Sequence, residues 1–387
     1  MTSLRGHVSS NNFTAVLAGS DFDQEYLTNI TVGGQTFPAI VDTGSSDTWL
    51  VKKGFGCFDL DGDPQSEKSC GFGSSGFSTT ASKTFEKFPD VSFNISYGDG
   101  EFLSGPVGFD TVSVGGLKVT QQELGTPDLA AWNGDGVNSG LLGLAYPDLT
   151  SVYNTTDPTK ASDANHIPYD PFFTTAIKQS KVTNPYFSIA LNRPSSGNPT
   201  NDPNLGFLAF GGMPPVAVSK NAVTVPIQGY AAKTGVPTTK NVVYWFYTVD
   251  VAAFVFTDST SLSTANNNTI LDTGTTLNYL PTDVAKNYNA GFKPKATFDE
   301  EQGLYFVACN ATAPVFSVNI GGKLFPIDPR DQILTTNDEN VCISGTQDGG
   351  EATPDTVFIL GDVFLHNVVS TFNIEANQLT VTQRNEY

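Results

Sequence analysis

Charged residues make up only 15% of this 387-residue chain, and histidine and cysteine are rarer still, at three and four. Long amphipathic helices need Glu, Lys, Arg and Ala on their wet faces, and this chain has little to supply them. No run of eighteen or more apolar residues occurs, so no membrane-spanning helix is expected. Of the few charges, 39 are acidic and 20 basic, a net charge of −19. A surface that acidic repels phosphate backbones and anionic lipid heads, which argues against nucleic acid and membrane as partners. The acidity fits either simple solubility or a working life in acid, where protonation relieves self-repulsion. There is no HExxH to hold zinc and no GxSxG nucleophile elbow. The histidines, His7, His166 and His366, are scattered among loops and apolar surroundings and read as structural or surface residues. Neither metal nor cofactor is expected.

What is present points to a β protein. Hydrophobic residues reach 39%, with 28 Phe, enough for a sizeable core. "EYLTNITVGGQTFPAIVDTG" alternates apolar and polar residues around Gly33-Gly34 and reads as a hairpin. Further hairpin signals follow at Gly98-Asp99-Gly100 and Gly115-Gly116. Helix is predicted over 171–182 and, with Thr282 as cap and Gly291 as stop, over "PTDVAKNYNAGF". The stretches 192–204 and 229–241 read as exposed Gly/Pro-rich loops.

The four cysteines allow three connectivities, and pairing neighbours, Cys57–Cys70 and Cys309–Cys342, closes two modest loops. Six N-x-[ST] sequons begin at Asn12, Asn29, Asn94, Asn154, Asn267 and Asn310. Few, pairable cysteines and sequons together favour a secreted, extracellular protein. The opening "MTSLRGHVSSNNF" lacks the apolar core of a signal peptide, so a mature form whose export segment is missing is expected.

One sentence is written twice. "VDTGSSDTWLV" (41–51) and "ILDTGTTLNYLP" (270–281) each set an Asp after apolar residues, then Thr-Gly and two hydroxyl residues. Each is followed by a GG hairpin ("VSVGGLKV", "SVNIGGKLFPI") and then by apolar-apolar-Gly ("GLLGLAYP", "VFILGDVF"). A period of about 200 residues is too long for a solenoid and says two homologous β lobes, here expected at 1–187 and 188–387. One D-T-G carries no weight in a chain this rich in Asp, Thr and Gly. Two with matched flanks do, against the alternative of an Asx-turn used twice for architecture. Pseudo-twofold packing would bring Asp42 and Asp272 face to face. Two carboxyls in contact cannot both ionise cheaply, so they share a proton and act as base and acid together; the aspartic-protease dyad is the standard example of that splitting.

At this point the chain resembles the pepsin family of aspartic proteases, particularly its fungal secreted members. "DTGSSDTWLV", "ISYGDGEFLSG", "SGLLGLAYP", "ILDTGTTL" and "FILGDVFLHNVVSTFNIEANQLTV" follow the family's patterns in the family's order. The resemblance implies a mainly β, bilobal pepsin-like fold, with two homologous barrel-like lobes and the active-site cleft between them. It implies an acid endopeptidase, a monomer, that takes a polypeptide substrate in the cleft and is blocked by pepstatin-type inhibitors. Asp42 and Asp272 match the catalytic pair. Ser45 and Thr275 match the hydroxyls on their outer oxygens, Thr43 and Thr273 the interlock beneath, and Gly44 and Gly274 the backbone facing water and substrate. Tyr97, Gly98 and Asp99 match the flap tip, with Tyr97 expected to bond Trp49. Thr276 and Trp132 are assigned to substrate binding by the same likeness. Cys309 and Cys342 match the family's second-lobe disulfide.

Three departures stand out. Glu101 occupies a position where many relatives carry Ser or Thr, and with Asp99 it suggests tolerance for Lys beside the scissile bond as well as large apolar residues. Ser139 stands where an Asp often precedes the Gly-apolar-apolar-Gly turn, which alters the polarity expected there. Gaps near Trp132 loosen the alignment at that residue. Two rival readings follow. A pepsin-like fold that lost catalysis would be a binding or inhibitor protein, but it would usually have lost an Asp, the flap Tyr or a D-T-G glycine. A glycoside hydrolase keeps its carboxyls at least about 5 Å apart.

Overall fold

The computed structural model describes residues 13–20, 24–194, 202–231, 242–256, 261–264, 267–336, 340–354 and 356–387. Strand Glu25–Val32 turns at Gly33-Gly34 into Gln35–Asp42. Ile30 and Val32 point into the core while Asn29 is exposed, the period of two that the sequence carries. Both turn glycines have positive φ, 56° and 84°, the requirement of a hairpin whose twist matches its strands. The same pair of angles recurs at Gly115-Gly116 and Gly321-Gly322, so all three GG signals are hairpin turns.

Each Asp leaves the end of a central strand, and a parallel partner buttresses it. Gly140–Gly143 runs beside Gln35–Asp42 with Gly143 opposite Asp42. In the second half Phe358–Leu360 runs beside Asn268–Leu271 with Leu360 opposite Leu271. The buttress glycines are forced by contact. A Cβ on Gly143 would stand 2.4 Å from the Ser46 carbonyl carbon, and one on Gly361 would stand 2.2 Å from the Thr275 carbonyl oxygen.

The halves are joined by a six-stranded antiparallel sheet in the order Phe13–Ser20, Gly206–Phe210, Tyr186–Leu191, Val368–Asn373, Gln378–Arg384, Val218–Pro226. A division between residues 187 and 188 falls inside Tyr186–Leu191, within this shared sheet. The core follows the same logic. One large apolar cluster runs through both halves, and a second, around Trp49, Phe93 and Trp132, sits beneath the hairpin of the first.

The helices differ in detail from expectation. The first spans only Phe172–Lys178, because Ser180 takes a left-handed φ of 55° and stops it. The second spans Thr282–Ala290, but Thr282 is inside it and does not cap it: its hydroxyl donates to Asp348 Oδ1 at 2.7 Å. A third short helix, Asp362–Leu365, follows the second buttress. Part of each expected loop, 195–201 and 232–241, lies outside the described residues, while Tyr230–Ala231 pairs with Val242–Val243 as strand. Both neighbour disulfides, Cys57–Cys70 and Cys309–Cys342, are formed. Among the described residues no helix is long and apolar enough to cross a membrane.

Candidate active site

The two D-T-G loops meet where the halves face each other. In each, the carboxylate is held by the N–H two residues on and the hydroxyl three residues on. Gly44 N donates to Asp42 Oδ1 at 2.6 Å and Ser45 Oγ to Asp42 Oδ2 at 2.5 Å. Gly274 N donates to Asp272 Oδ1 at 2.8 Å and Thr275 Oγ1 to Asp272 Oδ2 at 2.7 Å. The threonines interlock beneath. Thr43 N donates to Thr273 Oγ1 and Thr273 N to Thr43 Oγ1, at 3.2 and 3.1 Å. Their hydroxyls then donate across the interface to Leu271 O and Val41 O. Every donor in this lattice has an acceptor in the same or the opposite loop, which fixes the two loops as one rigid unit.

The glycines explain how close the carboxyls come. A Cβ on Gly44 would stand 2.5 Å from the carboxyl of Asp272, and one on Gly274 would stand 2.6 Å from that of Asp42. Any other residue would fill the space that the opposite acid occupies. Asp42 and Asp272 are buried, 6% and 7% exposed, and in hydrogen-bonding contact. That contact is inconsistent with the separation a glycoside hydrolase needs. Burial pushes the Asp42 carboxyl well above the usual range, and the adjacent Asp272 pushes it further. Ser45 and Gly44 oppose the shift by donating to the charged form, and burial prevails. The pair therefore holds a proton at pH values where a free carboxyl has lost it.

Over the first loop arches the hairpin Glu86–Ser96/Phe102–Val114, its tip at residues 97–101. Tyr97 hydroxyl accepts from Trp49 Nε1 at 2.8 Å. Burial keeps that phenol neutral, well above its usual titration range. Trp132 packs edge-on against Tyr97 and Trp49, at 5.8 and 5.3 Å between ring centroids, and stacks on Phe72. Gly98 and Asp99 are exposed at the tip. Glu101 is not: it is 9% exposed, and its Oε1 accepts from Asn133 N at 2.7 Å. The expectation that Glu101 reinforces Asp99 toward a substrate cation is thereby corrected.

Thr276 is half-buried and donates its hydroxyl to Gln24 O at 3.1 Å. Ser139 is buried and bonds Ser74. His166 contacts Thr150 O, and His366 lies between Tyr26 and Asp331, so neither meets the carboxyls; His7 lies outside the described residues. Among the described residues no cluster of His, Cys, Asp or Glu is arranged to hold a metal ion. Of the sequons, Asn29, Asn154 and Asn310 are exposed and Asn94 is half-buried, donating to Pro158 O. Asn267 is buried, with Oδ1 accepting from Thr264 and Nδ2 donating to Ser263, which leaves its amide unavailable in the folded chain. Asn12 lies outside the described residues.

Two acids were not singled out from sequence. Asp362 is 2% exposed with neither carboxyl oxygen hydrogen-bonded, and burial, then the charges of Asp272, Asp42 and Glu25, hold it well above the usual carboxyl range. Asp47, fully buried, accepts from Ser151 N and Tyr169 hydroxyl, and burial still pushes it up to about 6. The signal was there in "SSD" and "LGD", one residue beyond the motifs.

The family model for eukaryotic aspartyl protease matches residues 25–384. A probable aspartic-type endopeptidase of Aspergillus fumigatus is 39% identical over 360 residues, 92% of this chain and 77% of its own length. Rhizopuspepsin-2 of Rhizopus niveus is 30% identical over 367 residues, 93% and 78%. The crystal structure of an aspartic proteinase from Irpex lacteus superposes with a TM-score of 0.72 at 21% identity, covering 97% of this chain and 98% of that one.

Proposed function

The chain belongs to the eukaryotic aspartyl protease family, hydrolases of peptide bonds, and on that premise we propose that Asp42 and Asp272 cleave polypeptides held between lobes 1–187 and 188–387. The observation that carries the reading is the contact of two buried carboxyls, each backed by the opposite loop's glycine. One proton resides on the pair. The ionised member takes a proton from a water as its oxygen attacks the scissile carbonyl carbon. The protonated member gives its proton to the carbonyl oxygen, and a tetrahedral diol forms. The now protonated member then gives its proton to the amide nitrogen, the C–N bond breaks, and a diol hydroxyl passes its proton to the ionised member, which leaves an acid, an amine and the singly protonated pair. Activity falls as rising pH removes that proton and as acid adds a second.

Tyr97, Trp49 and Trp132 supply an apolar wall, so large apolar side chains beside the scissile bond are favoured. Exposed Asp99 at the tip supplies the one carboxylate there for a substrate Lys, since Glu101 is turned inward. The reading includes secretion, glycan on the exposed Asn29, Asn154 and Asn310, and inhibition by pepstatin in a monomer.

Digestion of an unfolded protein from about pH 2 to about pH 7, with and without pepstatin, tests this. The wild type cuts in acid and pepstatin stops it, while Asp42→Asn and Asp272→Asn each lose activity by about 10²–10⁴-fold. Cutting by either variant at the wild-type rate would overturn the assignment.

A further inference from the structure

The strand Leu129–Ala131 pairs with the start of Phe102–Val114, and the last pair of that ladder is Ala131 with Phe102. One residue further the tip turns back on itself. Tyr97 N donates to Glu101 O at 2.8 Å, Gly100 N to Tyr97 O at 3.1 Å, and Gly100 adopts a φ of 95°. The tip backbone thus bonds to itself and offers Asn133 no carbonyl. The Asn133 N–H is satisfied instead by the Glu101 carboxyl. A side-chain bond extends the ladder where the two backbones part.

Asn133 follows Trp132 directly. The Trp132 indole N–H is buried without a hydrogen-bond partner, so no polar contact on the ring itself fixes it. Its place is set by packing on Tyr97, Trp49 and Phe72 and by the anchored backbone that follows. We propose that Glu101 is a positioning residue: its carboxyl latches the hairpin tip to the backbone of Asn133 and so holds Trp132 against Tyr97 in the geometry that receives a substrate side chain. The proposal rests on the peptidase reading above.

The latch is set by acid. The charged neighbour acting on Glu101 is Asp99, on the same tip. The segment Leu129–Asn133 carries no ionisable side chain, and the Tyr97 phenol across the tip is neutral and itself feels Asp42, Asp47 and Glu101. Burial, then Asp99, raises the Glu101 carboxyl to about 7 despite the Asn133 N–H. A raised carboxyl stabilises the latched state fully below the ordinary glutamate range, and that stability is lost as pH rises through about 7.

Wild type, Glu101→Gln and Glu101→Ala decide the matter by two readouts. The first is amide hydrogen exchange in residues 97–104 and 129–133. The second is kcat and KM on two peptides that differ only in Phe or Ala before the scissile bond. Glu101→Ala is expected to speed exchange in both segments by about tenfold, the worth of one hydrogen bond. It is expected to lose about tenfold in kcat/KM on the Phe peptide, chiefly through KM, with far less change on the Ala peptide. Glu101→Gln, which keeps the acceptor without the charge, is expected to match wild type in acid and to keep its exchange protection at neutral pH, where wild type loses it. Wild-type exchange and wild-type Phe/Ala selectivity in Glu101→Ala would overturn the latch. So would a Glu101→Gln protein that exchanges faster than wild type in acid, or one that loses protection at neutral pH as wild type does. Should Glu101→Ala fail to fold, the Gln comparison alone decides. Absence of hydrolysis by wild type would sink the functional reading instead, and the exchange arm would still judge the latch.

Discussion

Asp42 and Asp272 are held alike, each by an N–H two residues on and a hydroxyl three residues on, yet their halves diverge one residue past the shared pattern. After Gly143 comes Leu144, and after the matching Gly361 comes Asp362. Five residues past the first Asp stands Asp47, and five past the second stands Leu277. Each half thus buries an acid where the other carries a leucine, buried at Leu144 and half-buried at Leu277. Asp47 has two donors, whereas both oxygens of Asp362 have none. The first half also arches a hairpin over its loop, whereas the second runs from Asn278–Leu280 almost directly into a helix. The lesson is that the backbone symmetry is strict where the two acids meet and loose one layer away. There a carboxyl raised by burial in one half stands where the other half has a leucine.

The symmetric layer is tested by Gly44→Ala and Gly274→Ala. Each new methyl would collide with the opposite carboxyl. Both are expected to lose about 10²-fold or more in kcat, and by similar factors. A large inequality in single-turnover rates would break the symmetry. Thr43→Val and Thr273→Val come next, each removing the hydroxyl that both donates and accepts across the interface. Each is expected to cost about 1–3 kcal/mol in denaturant unfolding, with the double mutant costing less than the sum. The asymmetric layer is tested by Tyr97→Phe, which deprives the Trp49 indole N–H of its acceptor. A loss of about tenfold in kcat/KM is expected, since no hairpin of the second half compensates.

The smallest effect sets Asp362 against Asp47. Each carboxyl is raised by burial, so its contribution to stability is complete below the ordinary aspartate range and declines as pH rises through its folded value. For Asp47 that window closes near about 6, whereas Asp362 is held well above the ordinary carboxyl range with no hydrogen bond to oppose its burial. Asp362→Asn is therefore expected to remove up to about 1.4 kcal/mol per pH unit from the neutral-side slope of stability. Asp47→Asn is expected to remove its slope only up to about pH 6, where that carboxyl titrates. Thermal unfolding across pH reads both, and equal slopes in the two variants would erase the distinction.

Much of this arrangement was legible in the sequence because it is written in local chemistry. Paired glycines at positive φ announce hairpins, and a D-T-G after an apolar strand announces a tight loop. Repetition of both in one order announces two halves. What was not legible depends on partners distant in the chain. Thr282 reads as a helix cap until Asp348 is seen taking its hydroxyl. Glu101 reads as a solvated charge beside Asp99 until the backbone of Asn133 is seen above it. Asn267 reads as a sugar acceptor until Ser263 and Thr264 are found occupying its amide. Tyr186–Leu191 reads as the edge of a domain, yet it is an inner strand of a sheet that both halves build.

That shared sheet has a consequence for synthesis. Phe13–Ser20 pairs through Ala18–Ser20 with Glu25–Val32, but Phe13–Leu17 finds its ladder at Gly206–Phe210, and the sheet's inner strands are completed by Val368–Asn373 and Gln378–Arg384. The ladder between Phe13–Leu17 and Gly206–Phe210 cannot form until both stretches exist, and the sheet closes only when Val368–Asn373 and Gln378–Arg384 join it. Folding of such long-range pairings is slow, and an open strand edge invites other chains. The two halves thus complete one seam together, and cutting the chain at its midpoint would yield two pieces that each lack strands of it.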